Sequence, residues 1–156
     1  MPDDMTSLLK KVERSRARLN AALADATPYM EIYPSWKIKQ VMDHIAGWDE
    51  LVYLTLEAYQ QEKSPPSMKG MGIDQYNAAS VSSRSELLLE QSRQEYDSIR
   101  QKVLLSLREL PTEMLTREYT APWGGMCTIP SIMKIFVSHE LEHARQIEKL
   151  LPQSEP

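Results

Sequence analysis

The sequence predicts an all-α fold: a four-helix bundle with a long connection between its second and third helices. Three observations carry that expectation. Prolines, excluded from helix interiors, fall at positions 2, 28, 34, 65, 66, 111, 122, 130, 152 and 156, leaving four long runs nearly free of them. Each run repeats apolar residues at helical spacing. No stretch alternates convincingly as a strand would, and there is no internal repeat. Helices that each bury one stripe are satisfied by packing on one another.

The first run, about Asp4 to Ala26, sets Leu8, Val12, Leu19 and Leu23 on one face with charged residues opposite. The second is expected to begin at Ser35-Trp36, with Ser35 as N-cap, and to reach about Gln61. Its stripe is Ile38, Val41, Ile45, Trp48, Val52, Leu56 and Tyr59, and Gly47 leaves room for a ligand or a close neighbouring helix. Ser64-Pro65-Pro66-Ser67 ends it, and Asp74 to Ala79 can form a short helical turn in the connection of about 20 residues. The third long helix is expected from Ser83 or Ser85 to Glu109, with Ser83 and Glu86 as a capping box. Its face carries Leu88, Tyr96, Ile99, Val103, Leu107 and Leu110, and Pro111 stops it. Thr112 to Cys127 reads as loop. Thr128 caps the fourth helix, which tolerates Pro130 in its first turn and ends by Pro152.

Length fits one domain spanning residues 1–156, large enough for a proper core. Hydrophobic residues at 42% and charged ones at 26% are ordinary for a globular protein. A formal charge of −4 and a pI near 5.4, without a basic cluster, argue against a nucleic-acid partner. The single cysteine, Cys127, excludes an internal disulfide and suits a reducing cytoplasm. No apolar run approaches a membrane span and no signal peptide is evident, so a cytoplasmic protein without a membrane partner is expected.

Chemistry concentrates in the histidines. There are three, and two of them, His139 and His143, lie four residues apart. On a helix the second side chain is turned only about 40° from the first, so both imidazoles can reach one metal ion. They fall within the stripe Ile132, Ile135, Phe136, Ile147 and Leu150, where imidazole nitrogens need partners. His44 flanks the stripe of the second helix, one turn before Trp48. His139-Glu140-Leu141-Glu142-His143 also matches the H-E-x-x-H pattern of zinc proteases, with Glu140 as general base. That reading lacks a downstream third ligand and a strand to hold substrate. Core histidines bonded to carbonyls or carboxylates are the bland alternative. A three-histidine site with open coordination positions accounts better for all three falling on or beside apolar stripes.

Trp36 with Val41-Met42-Asp43-His44-Ile45-Ala46-Gly47-Trp48-Asp49-Glu50, and Ser138-His139-Glu140-Leu141-Glu142-His143-Ala144-Arg145-Gln146-Ile147, resemble the DinB-like (YfiT-like) metal-binding four-helix bundles over about residues 5–151. The resemblance implies a metal held by His44, His139 and His143. The family name implies no polymerase activity. Some relatives look like thiol-dependent transferases using bacillithiol, mycothiol or glutathione. Glu140 is incidental to that histidine frame, and its replacement by Gln is expected to leave folding and metal content intact.

The expected cofactor is thus a divalent metal ion, zinc or nickel foremost, although imidazole discriminates weakly among zinc, nickel, iron and copper. The expected activity is thiol S-transfer, with a non-catalytic metal-binding module or a metal-dependent hydrolase as alternatives. A small-molecule substrate, a low-molecular-weight thiol among the candidates, is the expected partner, and a homodimer is admitted. Asp43, Asp49 and Glu142 are candidates to orient a ring N–H. Cys127 reads as a buried or loop thiol, and the tryptophans as core or pocket lining.

Overall fold

The structure, a computed structural model, describes residues 4–68 and 71–152. In chain order its elements are α1 (Met5–Asp25), α2 (Ile38–Gln60), a short α3 (Ile73–Ser82), α4 (Leu89–Glu109), a 3-10 turn (Thr112–Leu115), strands β1 (Tyr119–Thr120) and β2 (Met126–Cys127), and α5 (Ile129–Leu150). The four long helices make the bundle. α2 packs chiefly on α4 and α1 on α5, while α3 covers α2.

Side-chain caps account for two of the starts. Asp4 Oδ1 accepts from Ser7 N at 2.8 Å to begin α1, and Thr128 Oγ1 accepts from Ser131 N at 3.2 Å to begin α5. Two expected caps are displaced. Ser35 stands in a tight turn at φ 69°, and α2 starts after Lys37, whose N–H donates to Gln40 Oε1 at 2.8 Å. The third long helix starts after Leu88, not at Ser83, because Ser83 terminates α3 and Arg84 to Glu86 form a turn. Leu88 is therefore exposed instead of core. The loop before α5 contains the small antiparallel pair Tyr119↔Cys127 and Thr120↔Met126. Its turn needs Gly124 and Gly125 at φ 96° and 77°, where a side chain is strained. Two residues per strand are too few to show alternation in sequence.

Gly47 settles how α3 sits. A Cβ built there would lie 2.3 Å from Ser80 Oγ, so the glycine admits a neighbouring helix. Tyr76 Oη fastens the contact by donating to the Gly47 carbonyl at 3.0 Å.

The apolar core divides into two clusters. One gathers Leu8, Val12, Val52, Leu56, Leu107 and Ile132; the other gathers Leu19, Leu23, Val41, Ile45, Tyr96 and Ile147. Between them in every long helix lies a buried charge: Arg16, Asp49, Arg100 and Glu140. Arg16 Nη2 reaches Asp49 Oδ2 at 2.7 Å and its Nε reaches Glu140 Oε2 at 2.8 Å. Arg100 Nη2 binds Asp49 Oδ1 at 3.0 Å and Glu140 Oε2 at 2.7 Å. Each carboxylate thus meets both guanidiniums, and the layer is neutral overall. Ser15 Oγ adds a bond to Glu140 Oε1 at 2.7 Å. Burial alone would raise the pKa of Glu140, but Arg100 and Arg16 outweigh it and hold the carboxyl below its usual range.

This corrects the expectation that Glu140→Gln is innocuous to folding. The amide leaves two buried guanidiniums sharing one carboxylate, and removing one partner of a buried ion pair costs about 3–5 kcal/mol. Glu140→Gln should lower the unfolding free energy by about 3 kcal/mol in urea denaturation. A loss below about 1 kcal/mol, the scale of an exposed pair, would mean that the layer does not depend on its charges.

Candidate metal centre

His44 comes from α2, His139 and His143 from successive turns of α5. α2 and α5 meet where Val41 and Ile45 share a cluster with Ala144 and Ile147. His44 is 2% exposed and His143 9%, while His139 is half-buried. Their Nε2 atoms converge: His139 to His143 is 2.8 Å, His44 to His143 3.1 Å and His44 to His139 3.3 Å. The rings meet edge to face, with centroids 4.3–5.1 Å apart.

The turn before α2 closes one side. Tyr33 and Trp36 form an isolated antiparallel bridge, and the Trp36 ring lies 5.2 Å from that of His44. Tyr33 Oη is 2.6 Å from His143 Nδ1 and also bonds Gln146 Oε1. The orientation of this amide is anchored because Gln146 Nε2 donates to Glu142 Oε1 at 3.1 Å. Its carbonyl oxygen then faces the tyrosine and takes the single phenolic proton. Tyr33 Oη must consequently accept from His143 Nδ1–H, which leaves the Nε2 lone pair of His143 aimed into the cluster.

Three imidazole nitrogens this close cannot satisfy one another as neutral rings with inward lone pairs. A cation between them can. Ligand nitrogens about 2.0–2.1 Å from a tetrahedral ion lie roughly 3.3 Å apart, close to the spacings here. The donor set therefore fits a divalent metal. Protons are a poor substitute. Burial first, then His143 and His139, pushes His44 down to about 3. Burial first, then His139, pushes His143 to about 4, and burial lowers His139 as well.

Other sequence candidates lie apart from this role. Glu140, the base of the protease-like pattern, spends its oxygens on Arg16, Arg100 and Ser15. Asp49 is held by the same arginines, and Asp43 pairs with Lys39 Nζ at 2.8 Å. Glu142 acts only at one remove, through Gln146. Cys127 packs against Tyr59 Oη at 3.5 Å. Ile135 and Leu150, placed in the stripe of α5, are 54% and 48% exposed. The sequence reading missed Tyr33 as a histidine partner. Gln146 was legible in principle, since it follows His143 by three residues and so shares its helix face.

The histidines make metal-free protein acid-sensitive. The unfolded chain takes up protons near the ordinary value of 6.5, but the folded one resists until about 4 at His143 and about 3 at His44. Stability is therefore complete above pH 6.5 and declines as pH falls towards 4, by up to about 1.4 kcal/mol per pH unit for each histidine. Denaturation midpoints of chelator-treated protein between about pH 7.5 and 5 should show this fall. Flat midpoints would contradict neutral, buried rings.

The sequence profile of the DinB superfamily matches residues 30–147. No curated protein matches the sequence significantly. Among solved structures, the colibactin self-resistance protein ClbS, in complex with double-stranded DNA, superposes with a TM-score of 0.78 at 15% identity over 96% of each chain. The mycothiol-dependent maleylpyruvate isomerase gives 0.77 at 11% identity, over 93% of this chain and 61% of that one. YfiT from Bacillus subtilis, described as a probable metal-dependent hydrolase with an unusual four-helix bundle topology, gives 0.71 at 17% identity over 94% and 85%. These likenesses establish the fold. The DNA complex also corrects the expectation of no nucleic-acid partner, because a protein of this fold is seen bound to double-stranded DNA. Among the described residues no helix is long and apolar enough to cross a membrane. By the matched profile and the shared bundle, the chain belongs to the DinB superfamily.

Proposed function

We propose that the chain is one DinB-type domain holding a single divalent ion, zinc or nickel, on His44, His139 and His143, and that it catalyses transfer of a low-molecular-weight thiol. The observation that carries this reading is the convergence of three Nε2 atoms within 3.3 Å of one another, from two different helices. A divalent ion there would depress the pKa of a thiol and supply its nucleophilic form near neutral pH. Tyr33 and Gln146 keep His143 in the tautomer that presents its Nε2 lone pair. Trp36 packs against His44 and limits how its ring can turn.

Likeness to a mycothiol-dependent enzyme supports the thiol. The hydrolase reading draws on YfiT, but Glu140 is committed to two arginines and is not available as the base that attack by water would need. A non-catalytic ion pinning α2 to α5 would need no access. His139 instead lines an open cavity, which favours an enzyme.

Element-resolved analysis of untagged protein should find about one ion per chain, and His44→Ala, His139→Ala and His143→Ala should each lower that content about tenfold or more. Full occupancy in the triple variant would end the assignment. Thiol consumption, screened over low-molecular-weight thiols with the same preparations, should vanish with the metal. Tyr33→Phe removes only the oxygen that holds His143. It should weaken metal affinity by about 10–100-fold in competition with a chromophoric chelator. Unchanged affinity would take the tyrosine out of the site.

A further inference from the structure

A cavity of about 310 Å³ adjoins the histidines, bounded by α2, α3, α5 and the turn between β1 and β2. Its inner wall is Trp48, Phe136 and Met68, all buried; its rim is Ile73, Ile135 and Trp123, which are 65%, 54% and 42% exposed. Two polar residues complete the lining. One is Asn77, whose carbonyl already accepts from Trp48 Nε1 at 2.6 Å. The other is His139, the one member of the histidine cluster that faces the cavity. Among the described lining residues none is charged. Trp48 is braced between Tyr76 and Phe136, with ring centroids 4.6 and 6.0 Å away, so a flat wall stands ready before anything binds.

These features define a ligand class. An ionised group buried here would lose its hydration and find no counter-charge among the described lining side chains, a cost of several kcal/mol. An apolar body gains roughly 25 cal/mol for each Å² removed from water, and aromatic rings gain further from the tryptophans. The volume lies at the small end of ordinary ligand sites, about 300–1,000 Å³. We propose that this cavity binds the second substrate and selects an uncharged, ring-bearing apolar molecule, whose one polar atom points to His139. The selection rests on the cavity alone. Only the role as second substrate rests on the thiol-transfer reading, and an anionic thiol belongs outside this apolar wall.

Calorimetric titration of the protein as purified, and again after chelation so that the charge of a bound ion does not enter the comparison, tests the proposal using two probes of the same shape. Naphthylmethanol should bind at least about tenfold more tightly than naphthalenesulfonate, which carries a charge into the cavity. Ile73→Asp should reduce naphthylmethanol affinity by about tenfold or more while leaving metal content unchanged. An aspartate at the first residue of α3 suits the helix N-terminus, so loss of α3 does not confound the result. Trp123→Ala, also at the rim, should weaken binding in the same way. Equal or tighter sulfonate binding by the chelated protein overturns the proposal, as does an Ile73→Asp variant with unaltered affinity. Metal analysis of the same samples separates the two readings. Metal present without naphthylmethanol binding refutes the cavity's role alone, whereas selective binding by protein that purifies without metal upholds the cavity and refutes the metal site.

Discussion

The four charges buried between the two apolar clusters govern the rest of the bundle. Arg16, Asp49, Arg100 and Glu140 come one from each long helix, and each carboxylate bonds both guanidiniums. Apolar stripes can slide or rotate past one another at modest cost, because dispersion contacts are not directional. A closed set of ion pairs cannot, since any shift by one turn leaves a charge buried and unpaired. The layer therefore acts on specificity: it fixes which residues face which, at a desolvation cost that the ion pairs largely offset.

That fixing reaches the histidines directly. With Glu140 turned into the charge layer, the rotation of α5 about its axis is set. His139, about 100° round from Glu140, and His143, one turn on, are then presented to α2. Asp49 anchors α2 in the same layer, five residues beyond His44. The glutamate of the H-E-x-x-H pattern thus serves the site as a rotational anchor and not as a base. The hydrogen-bonded chain from Glu142 through Gln146 and Tyr33 to His143 then selects the tautomer, which rotation alone does not determine.

The cavity follows from a different constraint. Gly47 lets α3 come close enough for Ser80 to sit where a side chain would be, and Tyr76 and Asn77 on α3 brace Trp48 from that side. The turn between β1 and β2 adds Trp123. All three connections between the long helices thereby contribute to one region: the turn at Tyr33–Trp36, the α2–α4 connection with α3, and the hairpin before α5.

The sequence by itself determined the helices and their buried stripes, because periodicity of apolar residues is a local property. Every residue of the α2 stripe from Ile38 to Tyr59 is buried as its spacing demands. The spacing of His139 and His143 likewise fixed their shared face, and the place of His44 beside the apolar stripe of α2, together with the family resemblance, joined it to them. The helix starts were less legible: Ser35 and Ser83 are good cap residues in isolation, yet a left-handed turn and the end of α3 claim them. What only the tertiary structure decided are pairings between distant residues. Arg16 and Arg100 read as solvated charges on amphipathic helices, and nothing local reveals that each will face Asp49 and Glu140. Tyr33 lies 110 residues from His143, and Ile135 looked like core until α3 and the hairpin left it at a cavity rim. Periodicity assigns a side chain to a face; only packing of the helices decides which partner waits there.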